Sequence, residues 1–149
     1  MSKKSKKISV RLPHKLHAML TKALDDVERI EKSKLYKINM DIAAQRHRSG
    51  DKCEVCLGGS QLIGKLPRGA FELWFDDDRL SDNLSNKLCA LDCLRTGDVG
   101  KAYSVVKYGS GVGWVSHSLD REVVDYHLNP ELWKAQMRVL AVELKQANL

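Results

Sequence analysis

The stretch ISVRLPHKLHAMLTKALDDVERIEKSKLYKINMDI, residues 8–42, decides how the chain is read. It opens with alternation, Ile8, Val10 and Leu12 on one side and Ser9 and Arg11 on the other, which is the period of a short strand. Pro13 then suits the first turn of a helix, where its missing N–H has no intrahelical partner in any case. Leu16, Leu20, Ala23, Val27 and Ile30 follow at helical spacing, and Met19 and Leu24 widen the stripe. The pattern predicts an amphipathic helix to about residue 32, with Lys22, Asp26, Glu28 and Arg29 on the wet face. Beyond it, LYKINMDI (35–42) alternates again and predicts a short strand or an extended connector.

ISVRLP followed by a helix resembles the opening of ribbon-helix-helix repressors, in which a strand enters the major groove and its side chains read bases. The resemblance ends near residue 32. Those repressors turn tightly from a short first helix into a second one, whereas here the first helix is long and β-branched, extended sequence follows it. A repressor fold is therefore not expected, because fold and motif must agree before a function follows.

Outward from this stretch, charge is uneven. The first 15 residues carry Lys3, Lys4, Lys6, Lys7, Arg11 and Lys15 and no acid; the other 19 Lys and Arg match the 19 Asp and Glu. The net charge of +6 thus belongs to the first 15 residues: five charges fall in an arm, residues 1–12, and the sixth, Lys15, at the head of one globular domain spanning 13–149. The arm is expected to be solvated. Nucleic acid enters as an alternative partner through Lys3, Lys4, Lys6, Lys7 and Arg11, since lysine and arginine neutralise phosphates. No apolar run suits a membrane span or the core of a signal peptide, so the expectation is a cytoplasmic protein that does not contact a membrane.

Further along, Cys53 to Leu66 reads as a helix on Leu57, Leu62, Ile63 and Leu66, ended by Pro67. Ser81 or Asp82 is placed to cap the next helix, NLSNKLCALDCLRTG (83–97), and Gly97 to stop it. KAYSVVKYGSGVGWVSHSL (101–119) predicts a β-hairpin about the glycines 109–113. Asn129-Pro130 opens a last helix, with Trp133, Met137, Leu140, Ala141 and Leu144 as its apolar stripe. The expected fold is α+β and mainly helical: one domain of about four helices with a small antiparallel β element.

Candidate chemistry is sparse. Cys53 and Cys56 have the spacing of half a zinc site, and Cys89 and Cys93, one helical turn apart, are the other half of a possible four-thiolate set. C-x3-C within a helix is unusual for such a site, and cysteine is often a small core hydrophobe, so no metal and no cofactor are expected. A thiol-dependent enzyme would place Cys53 or Cys56 near a base such as His117 or His127. Asp76, Asp77 and Asp78 diverge as neighbours and read as a helix-start cluster. GSGVG (109–113) lacks the lysine-serine pair of a phosphate loop.

Four segments together resemble a family of small accessory proteins of tailed phages and prophages. They are KINM (37–40), CEVCLGG (53–59), KLCALDCLRTG (87–97) and LWKAQMRVLAVELKQANL (132–149). The family positions matched are Ile38, Asn39 and Met40; Cys53, Val55, Cys56, Leu57 and Gly59; Leu88, Ala90, Leu91, Asp92, Arg95 and Gly97; and Met137, Leu140, Ala141 and Leu144. Ala43-Ala44 stands where the family often has Trp-His, and the family does not fix cysteines at 89 and 93. The resemblance implies no settled chemistry, only a protein made inside an infected bacterium; the leading expectation is that it binds and redirects or inhibits a host macromolecule, in host takeover or against a defence system, without catalysis.

Overall fold

The computed structural model describes residues 11–33, 36–40, 44–45, 53–55, 81–109, 113 and 115–149, with 44–45 and 53–55 described by their backbone alone. Among these, four helices and a short three-stranded sheet form a mainly helical α+β fold: α1 (Leu16–Glu31), β1 (Tyr36–Ile38), β2 (Ala44–Gln45), β3 (Cys53–Val55), α2 (Asp82–Leu94), α3 (Val99–Tyr108) and α4 (Pro130–Gln146).

α1 and α4 are the long helices, and they lie antiparallel. The amide of His17 at the start of α1 donates to the Leu149 carbonyl (3.1 Å), while at its far end Glu31 pairs with Lys134 near the start of α4 (2.7 Å). The first contact also answers a local need. Lys15, the residue ahead of α1, offers no side-chain cap, so a carbonyl from beyond α4 takes one of the amides that every helix start leaves open. Pro13 lies ahead of the first turn rather than within it. Leu16, Met19, Leu20, Ala23, Leu24, Val27 and Ile30 are all buried, so the stripe read from the sequence is the core face of α1. Met137, Leu140 and Leu144 of α4 are fully buried in the same core.

α2 begins as expected: Ser81 is the cap, its hydroxyl accepting from the Leu84 amide (3.2 Å). It ends at Leu94, and Gly97 at φ +84° turns the chain into α3. A side chain at 97 would be strained there and would also meet the Arg121 carbonyl, 2.1 Å from an ideal Cβ.

Two elements differ from expectation. Residues 101–108 are helical, not the first arm of a hairpin; Val99, Ala102 and Val105 fall at intervals of three and are buried, and Gly109 at φ +92° ends the helix. Gly100 allows this packing, since an ideal Cβ there would lie 2.1 Å from the Val115 carbonyl. Cys53–Val55, expected to open a helix, is instead the central strand of the sheet. β3 runs parallel to β1, with Tyr36 opposite Cys53 and Ile38 opposite Val55, and antiparallel to β2, with Ala44 opposite Val55. The sheet is therefore mixed, its antiparallel part being β2–β3. Both misreadings have one cause: short runs of Val, Tyr and Cys suit either structure, and distant partners decide between them. The remaining residues of the expected helix, 56–66, lie outside the described ones.

Candidate functional site

Of the cysteines, Cys93 is buried in the hydrophobic core of α2 beside Ala90, Leu91 and Leu94, and Cys89 is half-buried. Burial, and then the neighbouring Cys89, push the Cys93 thiol up to about 12, so it is held protonated and unreactive at neutral pH. Cys53 lies on β3, and Cys56 is outside the described residues, as are Asp76, Asp77 and Asp78. Among the described residues, no three of His, Cys, Asp and Glu gather as a metal would require.

The two histidines considered as bases are engaged by the backbone. His117 Nδ1 accepts from the Leu119 amide (3.0 Å), and His127 Nε2 accepts from Met40 at the end of β1 (3.0 Å). A nitrogen that takes an amide N–H in this way fixes a loop and is not available to take a proton from a thiol. Asp120 is spent likewise. Its carboxylate receives the amides of Gly100 and His117 (2.8 Å each) and so caps α3 from a distance. Burial pushes its carboxyl up, but the Gly100, His117 and Val99 amides outweigh that and hold it below the usual carboxylate value.

What remains available is surface. On the outer face of α4, Leu132, Val139 and Val142 are 43%, 55% and 57% exposed and fall along one ridge with Ala135. Shallow grooves flank this ridge. One, about 600 Å³, runs between α1 and α4 over Ala18, Ala141 and Val142. The other, about 430 Å³, lies over Val123, Leu132, Ala135 and Val139. The charged groups at their edges are largely paired: Lys22 with Asp26 (2.8 Å), Arg138 with Asp25 (2.8 Å) and Glu28 (3.4 Å), and Arg121 with Glu143 (2.5 Å).

The root of the arm is different. Lys3, Lys4, Lys6 and Lys7 lie outside the described residues; Arg11 is exposed and Leu12 buried. Lys87 of α2, only 4% exposed, donates to the Leu12 carbonyl (2.8 Å) and contacts His14 Nδ1 (3.2 Å). An ammonium has no acceptor atom, so with Lys87 charged the imidazole must accept there. Burial pulls the Lys87 ammonium below the ordinary lysine value. Arg11, Leu12, His14, Asn83, Leu84 and Lys87 line a pocket of about 250 Å³. Lys87 was not singled out from the sequence, although a signal is present: it falls at position i+3 from Leu84 and next to Leu88, inside the apolar stripe, where a lysine is out of place.

Comparison with known proteins finds no matching family model, no matching curated protein and no matching solved structure.

Proposed function

We propose that this chain is a phage- or prophage-encoded accessory protein that acts without catalysis, by binding a host protein through the outer face of α4. The observation carrying this reading is the exposed apolar ridge Leu132–Val139–Val142, set between two grooves whose edge charges are largely paired. Contiguous apolar surface of this kind marks a contact site more often than scattered exposed side chains do. Val142 lies ten residues beyond Leu132 along α4, so the ridge extends over roughly 15 Å, enough to receive about three turns of a partner helix.

The pairing of edge charges favours protein over nucleic acid as the occupant. Phosphate binding needs cations free to displace counterions, and a cation that must first leave a carboxylate contributes little. The enzyme reading is weakened by the same economy of groups, since His117, His127 and Asp120 hold backbone amides and Cys93 is a buried thiol.

The test compares capture of host proteins by the natural chain and by Val139→Glu/Val142→Glu, both sites being exposed, so that the fold tolerates the change. A discrete, stoichiometric partner retained by the natural chain through a rise from 0.1 to 0.5 M salt, and lost by the variant, supports the proposal. Equal capture by both chains contradicts it, and capture lost to salt alone points to the basic arm.

A further inference from the structure

At the arm's root Lys87 and Arg11 line one pocket and, among the described residues, no carboxylate lines it, the acid of the first turn of α2 being the neighbouring Asp82. Lys87 is 4% exposed, and among the described residues no carboxylate pairs with it; its partners there are a carbonyl and an imidazole. An ammonium has three N–H groups, and these two contacts use two of them. The lysine also sits one turn into α2. Helical side chains lean toward the N-terminus, so its charge is carried toward the positive end of the helix, near Asn83 and Leu84. Arg11, at the pocket's edge, adds a second full positive charge with a planar fork of donors.

A buried charge without an opposite partner is strongly unfavourable, and a nearly enclosed ammonium beside a guanidinium and a helix start is more so. Two hydrogen bonds to neutral groups do not offset it. An anion would: it would take the third N–H of Lys87 and meet the Arg11 fork.

We propose that the pocket formed by Arg11, His14, Asn83 and Lys87 binds a compact oxyanion of the phosphate-monoester class. Three features select that class. The volume of about 250 Å³ lies below that of ordinary organic-ligand pockets and suits a single tetrahedral ion or the phosphate end of a small molecule. Lys87 and Arg11 together match the charge of a dianion. Guanidinium and ammonium bracketing one site give short, charge-assisted bonds, which a halide cannot accept at two oxygens. Because Lys87 also holds the Leu12 carbonyl, occupancy of the pocket fastens the last residue of the arm to α2. This inference is independent of the α4 ridge, which lies on a different helix.

The experiment titrates the full chain with inorganic phosphate against chloride at equal ionic strength, following calorimetry and the amide resonances of Leu12, His14 and Asn83. Parallel arms use a nucleoside monophosphate and a short DNA duplex. One-to-one, saturable phosphate binding that moves those amides is expected. It should weaken about tenfold or more in Arg11→Ala and in Lys87→Met, the loss of a charge-assisted pair. Arg11 is exposed, so its variant remains folded even if Lys87→Met does not. A monophosphate that binds through the same residues identifies a monoester ligand; inorganic phosphate binding alone identifies the free ion. No saturable response to phosphate, a response equal to that of chloride, a response unchanged in Arg11→Ala, or a response to the duplex only would overturn the proposal.

Discussion

Trp133 joins three elements at one side chain. It is buried in α4, its indole N–H donates to the Arg95 carbonyl at the end of α2 (3.0 Å), and its ring meets Tyr126 edge-on at 5.4 Å. Tyr126 in turn donates to Glu31 at the end of α1 (2.7 Å); burial and that contact push its phenol up, so it stays a donor. Truncation leaves a large cavity and an unpaired carbonyl. Trp133→Ala should lower stability by ~3–5 kcal/mol, read from urea unfolding; an unchanged midpoint would place the indole outside the core. Cys93 gives a second prediction at this scale. With its thiol held up to about 12, iodoacetamide at pH 8 should leave Cys93 unmodified in the folded chain and label it fully in urea, as peptide mass mapping would record. Labelling at the same rate in both conditions would contradict that burial. The candidate residues were legible unevenly. Trp133 stood out because its neighbours share a helical period; Lys87 did not, because a lysine out of place in an apolar stripe names no partner until Leu12 and His14 are packed against it.

Among elements, α1, α2 and α4 could be read from sequence because each carries its own signals: a long apolar stripe, Ser81 as a cap, Gly97 as a stop, Asn129-Pro130 as a start. α3 could not, since what makes it a helix lies elsewhere in the chain. Its Gly100 amide is satisfied by Asp120, and Gly100 packs on the backbone at Val115. β3 has the same character, being defined by pairing with β1 and β2 rather than by its own three residues. The Asp120 cap gives an element-scale prediction. Asp120→Asn should lower stability by about 1–2 kcal/mol at pH 7, because the amides lose a charged acceptor in a half-exposed site. Its folded carboxyl lies below the unfolded value of 3.8, so its contribution is present above pH 3.8 and fades as pH falls through the lower, folded value. Urea midpoints at pH 7 and pH 3 measure this: the variant's deficit should shrink at the lower pH. A deficit that is equal at both would mean that the carboxylate charge plays no part in the cap.

At the scale of the molecule, two kinds of surface are set apart. The basic charge is concentrated at the arm and its root, whereas the α1–α4 side presents apolar side chains between paired ions. Removing residues 1–7 takes away Lys3, Lys4, Lys6 and Lys7 while keeping Leu12 and its bond to Lys87, so the melting temperature should hold within a degree or two. Any binding of duplex DNA should be weak, indifferent to sequence and largely lost on that deletion or in higher salt, as gel shifts at two salt concentrations would record. Tight, sequence-selective binding that fails in Arg11→Ala would instead make ISVRL a base-reading ribbon. The central claim, that a host protein is held on the outer face of α4, is tested most directly by site-specific photocrosslinking in infected cells. A benzophenone side chain placed at Val142 should join the chain to one host protein, whereas the same group at Tyr108, 58% exposed on α3, should not. Crosslinks from Tyr108 and none from Val142 would contradict the account.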